Sequence, residues 1–197
     1  MKIELTIPTK ILRAAALFAA GEKEKTRRFW LVGVFVKVEN GTTAVVGCDG
    51  ATMGVFEGTT ADACAPDFEA IIPLDHVKAI AKHKGDMLAL TYDTDEKTWT
   101  CNGLTFAAID GKYTPYKRVC ARHVREQGGY TDLDVELLHR FAAANKVLGC
   151  RAPGQVQLLF QGKGASARVL LPQDFIPAGW QFYGTIMPFN NTWRYDV

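Results

Sequence analysis

The chain has 197 residues, 48% of them hydrophobic and 22% charged, and a formal net charge of +2. That length can bury the core of one large domain or two small ones, and the composition leaves no room for a disordered or low-complexity stretch. Its apolar runs fall short of the roughly 20 residues a membrane helix needs. So small a net charge does not argue for nucleic acid by itself; only its placement can.

The N-terminal segment Lys2 to Ile7 alternates like a strand and lacks the apolar block of a signal peptide, which predicts a cytoplasmic protein. It runs into Ile7-Pro8-Thr9-Lys10-Ile11-Leu12. Proline suits a helix's first turn, where its missing N–H is no loss. Strands Trp30 to Val38 and Thr43 to Val46 follow, joined through Glu39-Asn40-Gly41-Thr42. Asn-Gly between apolar runs is a strong hairpin signal, because both residues tolerate positive φ.

The same order then returns. Glu69 to Ile72 leads into Ile72-Pro73-Leu74-Asp75-His76-Val77 and a second helix. Strands Met87 to Tyr92, Thr98 to Cys101 and Leu104 to Ile109 follow, separated by the polar turn Asp93 to Lys97 and by Asn102-Gly103. A third unit begins after Gly128-Gly129, where Thr131-Asp132-Leu133-Asp134 has the form of a capping box. Its helix runs to Leu148, with Gly149 as the stop. Strands Val156 to Gln161 and Ala167 to Leu171 flank Gly162-Lys163-Gly164, and Phe182 to Met187 closes the unit. The shared Ile-Pro entry and hairpin order mark a duplicated unit. The chain therefore reads as three β-α-β-β(-β) units over 1–58, 67–120 and 129–190.

Catalytic chemistry finds little footing. The five cysteines (Cys48, Cys64, Cys101, Cys120, Cys150) are widely spaced with no C-x-x-C pair, which reads as reduced thiols and argues against zinc. Cys48, His76, His83 and His139 fall in no motif that would join a nucleophile to a base, and a cysteine in a strand-rich region is usually core. Asp93, Asp95 and Glu96 lack the twelve-residue calcium-loop pattern and read as a solvated hairpin tip. There is no P-loop, no G-x-G-x-x-G after a strand and no H-E-x-x-H. The expectation is a non-enzyme with no cofactor and no metal.

Several segments gain meaning when taken together: Arg28-Phe29-Trp30-Leu31-Val32-Gly33, Val46-Gly47-Cys48-Asp49-Gly50-Ala51-Thr52-Met53, Ile71-Ile72-Pro73, Asp110-Gly111-Lys112-Tyr113-Thr114-Pro115-Tyr116-Lys117-Arg118-Val119, and Ile186-Met187-Pro188-Phe189. In this order and spacing they resemble the landmarks of the bacterial DNA polymerase III β-subunit sliding clamp. The segment from Asp110 is the most specific, being similar to the family's Asp-Gly-Arg-Phe-Pro-Asp-Tyr-Arg-Arg-Val. The likeness is nearly complete from Phe29 to Arg118 and thinner beyond it.

The resemblance implies an α+β DNA-clamp fold, with repeated β-α-β-β-β units and helices on one face of curved antiparallel sheets. Residues 1–121 would form a complete clamp-like domain, 129–190 a partial one, and 191–197 a C-terminal tail. Three units against the six of a clamp subunit suggest a shortened version of phage or prophage origin.

In function, the resemblance implies a sliding-clamp-like processivity factor. It would hold double-stranded DNA without reading sequence, and tether a DNA polymerase or other clamp-binding protein through a short hydrophobic peptide. A homo-oligomeric ring is one assembly it allows. The alternative is a clamp-derived interaction or regulatory protein that binds such peptides without encircling DNA.

The DNA-facing cations would be Lys10 and Arg13 on the first helix, Lys23 and Lys25 at its exit, Lys78, Lys82 and Lys84 on the second, and Arg140 and Lys146 on the third. Their other reading is the solvated side of ordinary amphipathic helices, whose apolar stripes run through Ile11, Leu12, Ala15 and Phe18, through Leu74, Val77, Ile80 and Ala81, and through Leu137, Leu138, Phe141 and Leu148. The peptide groove carries over to Arg28, Trp30, Leu31, Cys48, Gly50, Met53 and Met187. For Trp30, Leu31, Met53 and Met187 the other reading is plain core. Ala51-Thr52 and Phe189-Asn190 depart from the family's His-Arg and Met-Arg, which implies altered partner specificity.

Overall fold

The computed structural model describes residues 1–59, 66–120, 133–160 and 165–188. Strand β1 (Lys2–Pro8) passes directly into helix α1 (Thr9–Ala16), and β5 (Phe68–Pro73) passes in the same way into α2 (Leu74–Ile80). In each case a proline stands at the N-cap, where its lost donor is harmless. After α1 come β2 (Gly33–Glu39), β3 (Thr42–Cys48) and β4 (Thr52–Thr59); after α2 come β6 (Met87–Asp93), β7 (Thr98–Cys101) and β8 (Leu104–Ala107). The two Asn-Gly turns take the left-handed backbone their sequence asks for, with φ of 52° and 73° at Asn40 and Gly41 and of 50° and 78° at Asn102 and Gly103. A short helix α3 (Tyr116–Cys120) follows, then α4 (Val135–Leu148), β9 (Gln157–Phe160), β10 (Ala167–Leu170) and β11 (Trp180–Ile186).

The first two units interlock by exchanging their leading strands. β1 pairs antiparallel with β6 of the second unit, giving a four-stranded sheet β1-β6-β7-β8. β5 pairs antiparallel with β2 of the first unit. That second sheet does not end at β4. Register Gly58↔Trp180 through Thr52↔Ile186 joins β4 to β11, so the third unit extends it to seven strands in the order β5-β2-β3-β4-β11-β10-β9. A boundary drawn at residue 121 therefore crosses a continuous sheet.

The seven-stranded sheet is covered on both faces, and its side chains sort between them with period two. Val34, Val36, Val45, Phe56, Ile72, Phe182 and Ile186 point to the core shared with the helices. Phe35, Val46, Cys48, Met53, Val55 and Ile71 point the other way, under a cover that includes Tyr113, Tyr116 and Cys120. Helix α1 lies centrally. Phe18 follows it and meets Phe141 of α4 with tilted rings at 4.9 Å between centroids, while Phe182 meets Phe56 at 4.8 Å. The expected stripes Ile11, Leu12, Ala15, Phe18 and Leu74, Val77, Ile80, Ala81 are all buried. On α4, Phe141 and Leu148 are buried, and Leu137 and Leu138 pack against the core while partly exposed.

The structure departs from the sequence reading at five places. The apolar run from Trp30 is not strand from its start: Phe29–Leu31 forms a 3-10 turn, and β2 begins at Gly33. Strand β4, at the centre of the large sheet, went unforeseen, as did α3. The cap of α4 is Asp134, whose carboxylate accepts from the Glu136 N–H at 2.8 Å, rather than Thr131, which lies outside the described residues. The last strand starts at Trp180, two residues early. The helix stop matches the reading, since Gly149 caps α4 at φ 98°. The Gly162-Lys163-Gly164 turn, Cys64 and the tail from 189 onward lie outside the described residues.

Candidate peptide-binding groove and helix wall

All seven residues expected of a groove line one cavity of about 240 Å³: Arg28, Trp30, Leu31, Cys48, Gly50, Met53 and Met187. Ala51, Thr52, Thr114, Val119 and Thr185 complete it. Three pieces of chain build it. The outer face of the sheet supplies the floor, where Cys48 and Met53 are direct cross-strand partners and Thr185 pairs with Met53 from β11. The 3-10 turn with Arg28 forms one wall, and the segment around α3 forms another.

The β3–β4 turn sets the lip. Oδ1 of Asp49 accepts from the N–H groups of Ala51 and Thr52 at 2.9 and 2.6 Å, and its Oδ2 is ion-paired with Arg140 of α4 at 2.8 Å. Gly50 takes φ 95°, and a Cβ there would stand 2.3 Å from Nη1 of Arg28. The backbone angle calls for glycine at that position, whereas the guanidinium, at the end of a flexible side chain, could move aside. The N–H of Met187 donates to the Ala51 carbonyl at 2.8 Å, which ties the end of β11 to the same turn.

The two readings of the apolar lining turn out to divide by residue. Leu31, Met53 and Cys48 are core side chains that also surface in the floor, each under 5% exposed. Trp30 is half-buried, and Met187 is 39% exposed. Burial pushes the Cys48 thiol up to about 11, so near neutral pH it is a soft apolar contact and not a nucleophile. Behind the floor, the Cys120 thiol lies 3.6 Å from the Met53 sulfur. The four cysteines among the described residues are buried and free, and those residues hold no group of three or more His, Cys, Asp or Glu suited to a metal.

The nine cations expected along the helices fall into two sets. Two are held by the fold and a third is paired at the surface. Arg13 donates from Nε to the Ala81 carbonyl and from Nη2 to the His83 carbonyl at 3.3 Å, capping the end of α2. Lys25 is ion-paired with Glu22 and, at 3.6 Å, with Asp75. Arg140 supports the groove lip through Asp49. Lys10, Lys23, Lys78, Lys82, Lys84 and Lys146 are exposed. Lys10 sits over Gly149, at the C-terminal end of α4, where a cation meets the negative end of the helix dipole.

The arrangement as a whole has counterparts among solved structures. The β sliding clamp of C. crescentus, determined with polyethylene glycol bound, matches with a TM-score of 0.63 at 16% identity, over 95% of this chain and 66% of that one. The DNA polymerase sliding clamp of Pseudomonas aeruginosa, also determined with a ligand, matches at 0.62 and 16%, over 96% and 67%.

The fold is that of the bacterial sliding clamps.

At this identity the shared property is architecture: an α+β clamp fold reached by a mostly different sequence. The chain spans about two thirds of the length of these clamps. No family model and no curated protein sequence matches it. Among its described residues no helix is long and apolar enough to cross a membrane.

Proposed function

We propose that this chain is a clamp-like tether: its groove holds a short hydrophobic segment of a DNA polymerase or repair protein, and its helix side faces duplex DNA. The observation that carries the proposal is the convergence of Arg28, Trp30, Leu31, Cys48, Gly50, Met53 and Met187 on one apolar cavity from three distant parts of the chain. Its 240 Å³ lies just under the roughly 300–1,000 Å³ of small-molecule clefts, which suits a few apolar side chains of an extended peptide. Met53 and Met187 supply adaptable contacts, and Arg28 supplies a charged orienter at the rim.

The test is fluorescence anisotropy of a labelled short hydrophobic peptide, alone and in competition with an unlabelled copy. Saturable binding that Trp30→Ala abolishes supports the groove; binding unaffected by that change overturns it. On the DNA side, six exposed lysines imply weak, sequence-independent binding that falls steeply with salt. A base-specific footprint that persists at high salt would contradict that part.

A second reading, an interaction protein that keeps the groove but does not encircle DNA, draws support from Arg13 and Arg140 being engaged within the fold. Retention on circular DNA that is lost on linearisation favours the tether. Equal release from both forms favours the interaction protein.

A further inference from the structure

The cavity lies in a fork of the seven-stranded sheet. The β2–β3 ladder runs from Glu39↔Thr42 to Phe35↔Val46. Beyond it both strands continue, β2 to Gly33 along β5 and β3 to Cys48 along β4. Gly33 and Cys48, the pair that this register would bring next, are thus drawn apart by their other neighbours. The chain ahead of β2 turns away as Phe29–Leu31, and Trp30 and Leu31 from that turn line the cavity together with Cys48 from the end of β3.

Tyr113 stands in the fork. Its ring lies flat on that of Phe35, the residue of β2 at the last pair of the ladder, at 4.6 Å between centroids and 4° between planes. Its hydroxyl donates to the Val46 carbonyl at 3.3 Å, and the Cys48 backbone bonds to the same oxygen. One phenol oxygen therefore holds two residues of β3 where β2 has left them, and a buried strand end needs such a partner. Burial keeps the phenol well above its ordinary value, so the proton stays on the oxygen. Tyr113 is not itself among the lining residues, but its chain neighbour Thr114 is.

We propose that Tyr113 is a positioning residue of the groove: through Val46 and Cys48 its hydroxyl fixes the fork at the width at which a peptide side chain enters. This rests on the groove being a peptide site. Without the hydroxyl, the end of β3 is released against the 3-10 turn. A floor held in only a fraction of the molecules lowers the apparent affinity by that fraction.

Anisotropy titrations of one labelled hydrophobic peptide against the wild-type chain, Tyr113→Phe and Tyr116→Phe test the role. Tyr113→Phe keeps the ring on Phe35 and deletes only the hydroxyl. Its affinity should fall about tenfold, the upper range of one hydrogen bond's net worth. Hydrogen exchange at the Cys48 amide should quicken as well, while that at Val36 holds. Tyr116 lies under the same cover with its hydroxyl bonded to Glu57, away from the fork, so Tyr116→Phe should leave affinity unchanged. Wild-type affinity in folded Tyr113→Phe, or an equal loss in Tyr116→Phe, would overturn the role and leave the groove standing. A wild-type chain that does not bind the peptide would overturn the groove and the role together. Should Tyr113→Phe fail to fold, exchange in the wild-type chain decides. A Cys48 amide as slow as that of Val46 supports the role, and one as fast as an open strand end overturns it.

Discussion

Trp30 and Trp99 are both aromatic residues in apolar surroundings, yet they do different work. Trp99 is fully buried among Tyr92 and Phe68, with ring centroids 4.8 and 6.1 Å away. Trp30 is half-buried, edge-on to Phe29, and open to the groove. Trp99→Ala should cost about 3–5 kcal/mol in urea unfolding. Trp30→Ala should cost less than half of that while removing peptide binding; equal losses from the two would make Trp30 a plain core residue. Glu39 offers a second test. Hydrogen bonds from Lys117 and Lys37 hold its carboxyl down at about 2, against an ordinary value of 4.5. A carboxyl lowered on folding stabilises the native state above its unfolded pKa, and that contribution fades as pH falls from about 4.5 toward 2. Stability curves of wild type and Glu39→Gln should accordingly draw together across that window. Parallel curves would mean the pair contributes nothing.

Arg13 looked in the sequence like one more DNA-facing cation, because a pattern of charge cannot tell a solvated guanidinium from one that closes a neighbouring helix. Its bonds to the Ala81 and His83 carbonyls give it the second role. Arg13→Ala should therefore lower stability by about 1–2 kcal/mol. Alanine at Lys78 or Lys82 should change stability by less than about 0.5 kcal/mol and reduce the salt slope of DNA binding by about 1. Identical salt slopes in wild type and the lysine variants would remove α2 from the DNA-facing wall. Among the strands, those next to Asn-Gly and Ile-Pro were legible because local backbone chemistry fixes them. β4 was hidden, since Gly54 and Gly58 break its pattern. Gly54 is there because a Cβ would meet the Phe18 ring at 2.4 Å, a contact that no local signal announces. The opposite error fell at Phe29–Leu31, where an apolar run that reads as strand is a 3-10 turn, two of whose side chains, Trp30 and Leu31, line the groove.

The third unit is not an appendage. Phe141 and Phe182 share one aromatic cluster with Phe18 and Phe56, and β11 covers the edge of β4. A fragment of residues 1–120 would lay bare that edge together with Phe18 and Phe56, both 0% exposed in the whole chain. It should melt without cooperativity or self-associate on a sizing column. A monomeric fragment with a sharp transition would show instead that the first two units are energetically complete. The sequence by itself determined the repeat, the hairpins and the helix stripes, because proline, Asn-Gly and apolar periodicity act over a few residues. Through a family resemblance it also singled out seven residues that line one cavity. Only the tertiary structure decided that leading strands are exchanged, that the third unit continues the second sheet, and that Arg13 and Arg140 are held within the fold. Each of these depends on partners brought together from distant parts of the chain, and strand pairing carries no local signal of which edge it will join.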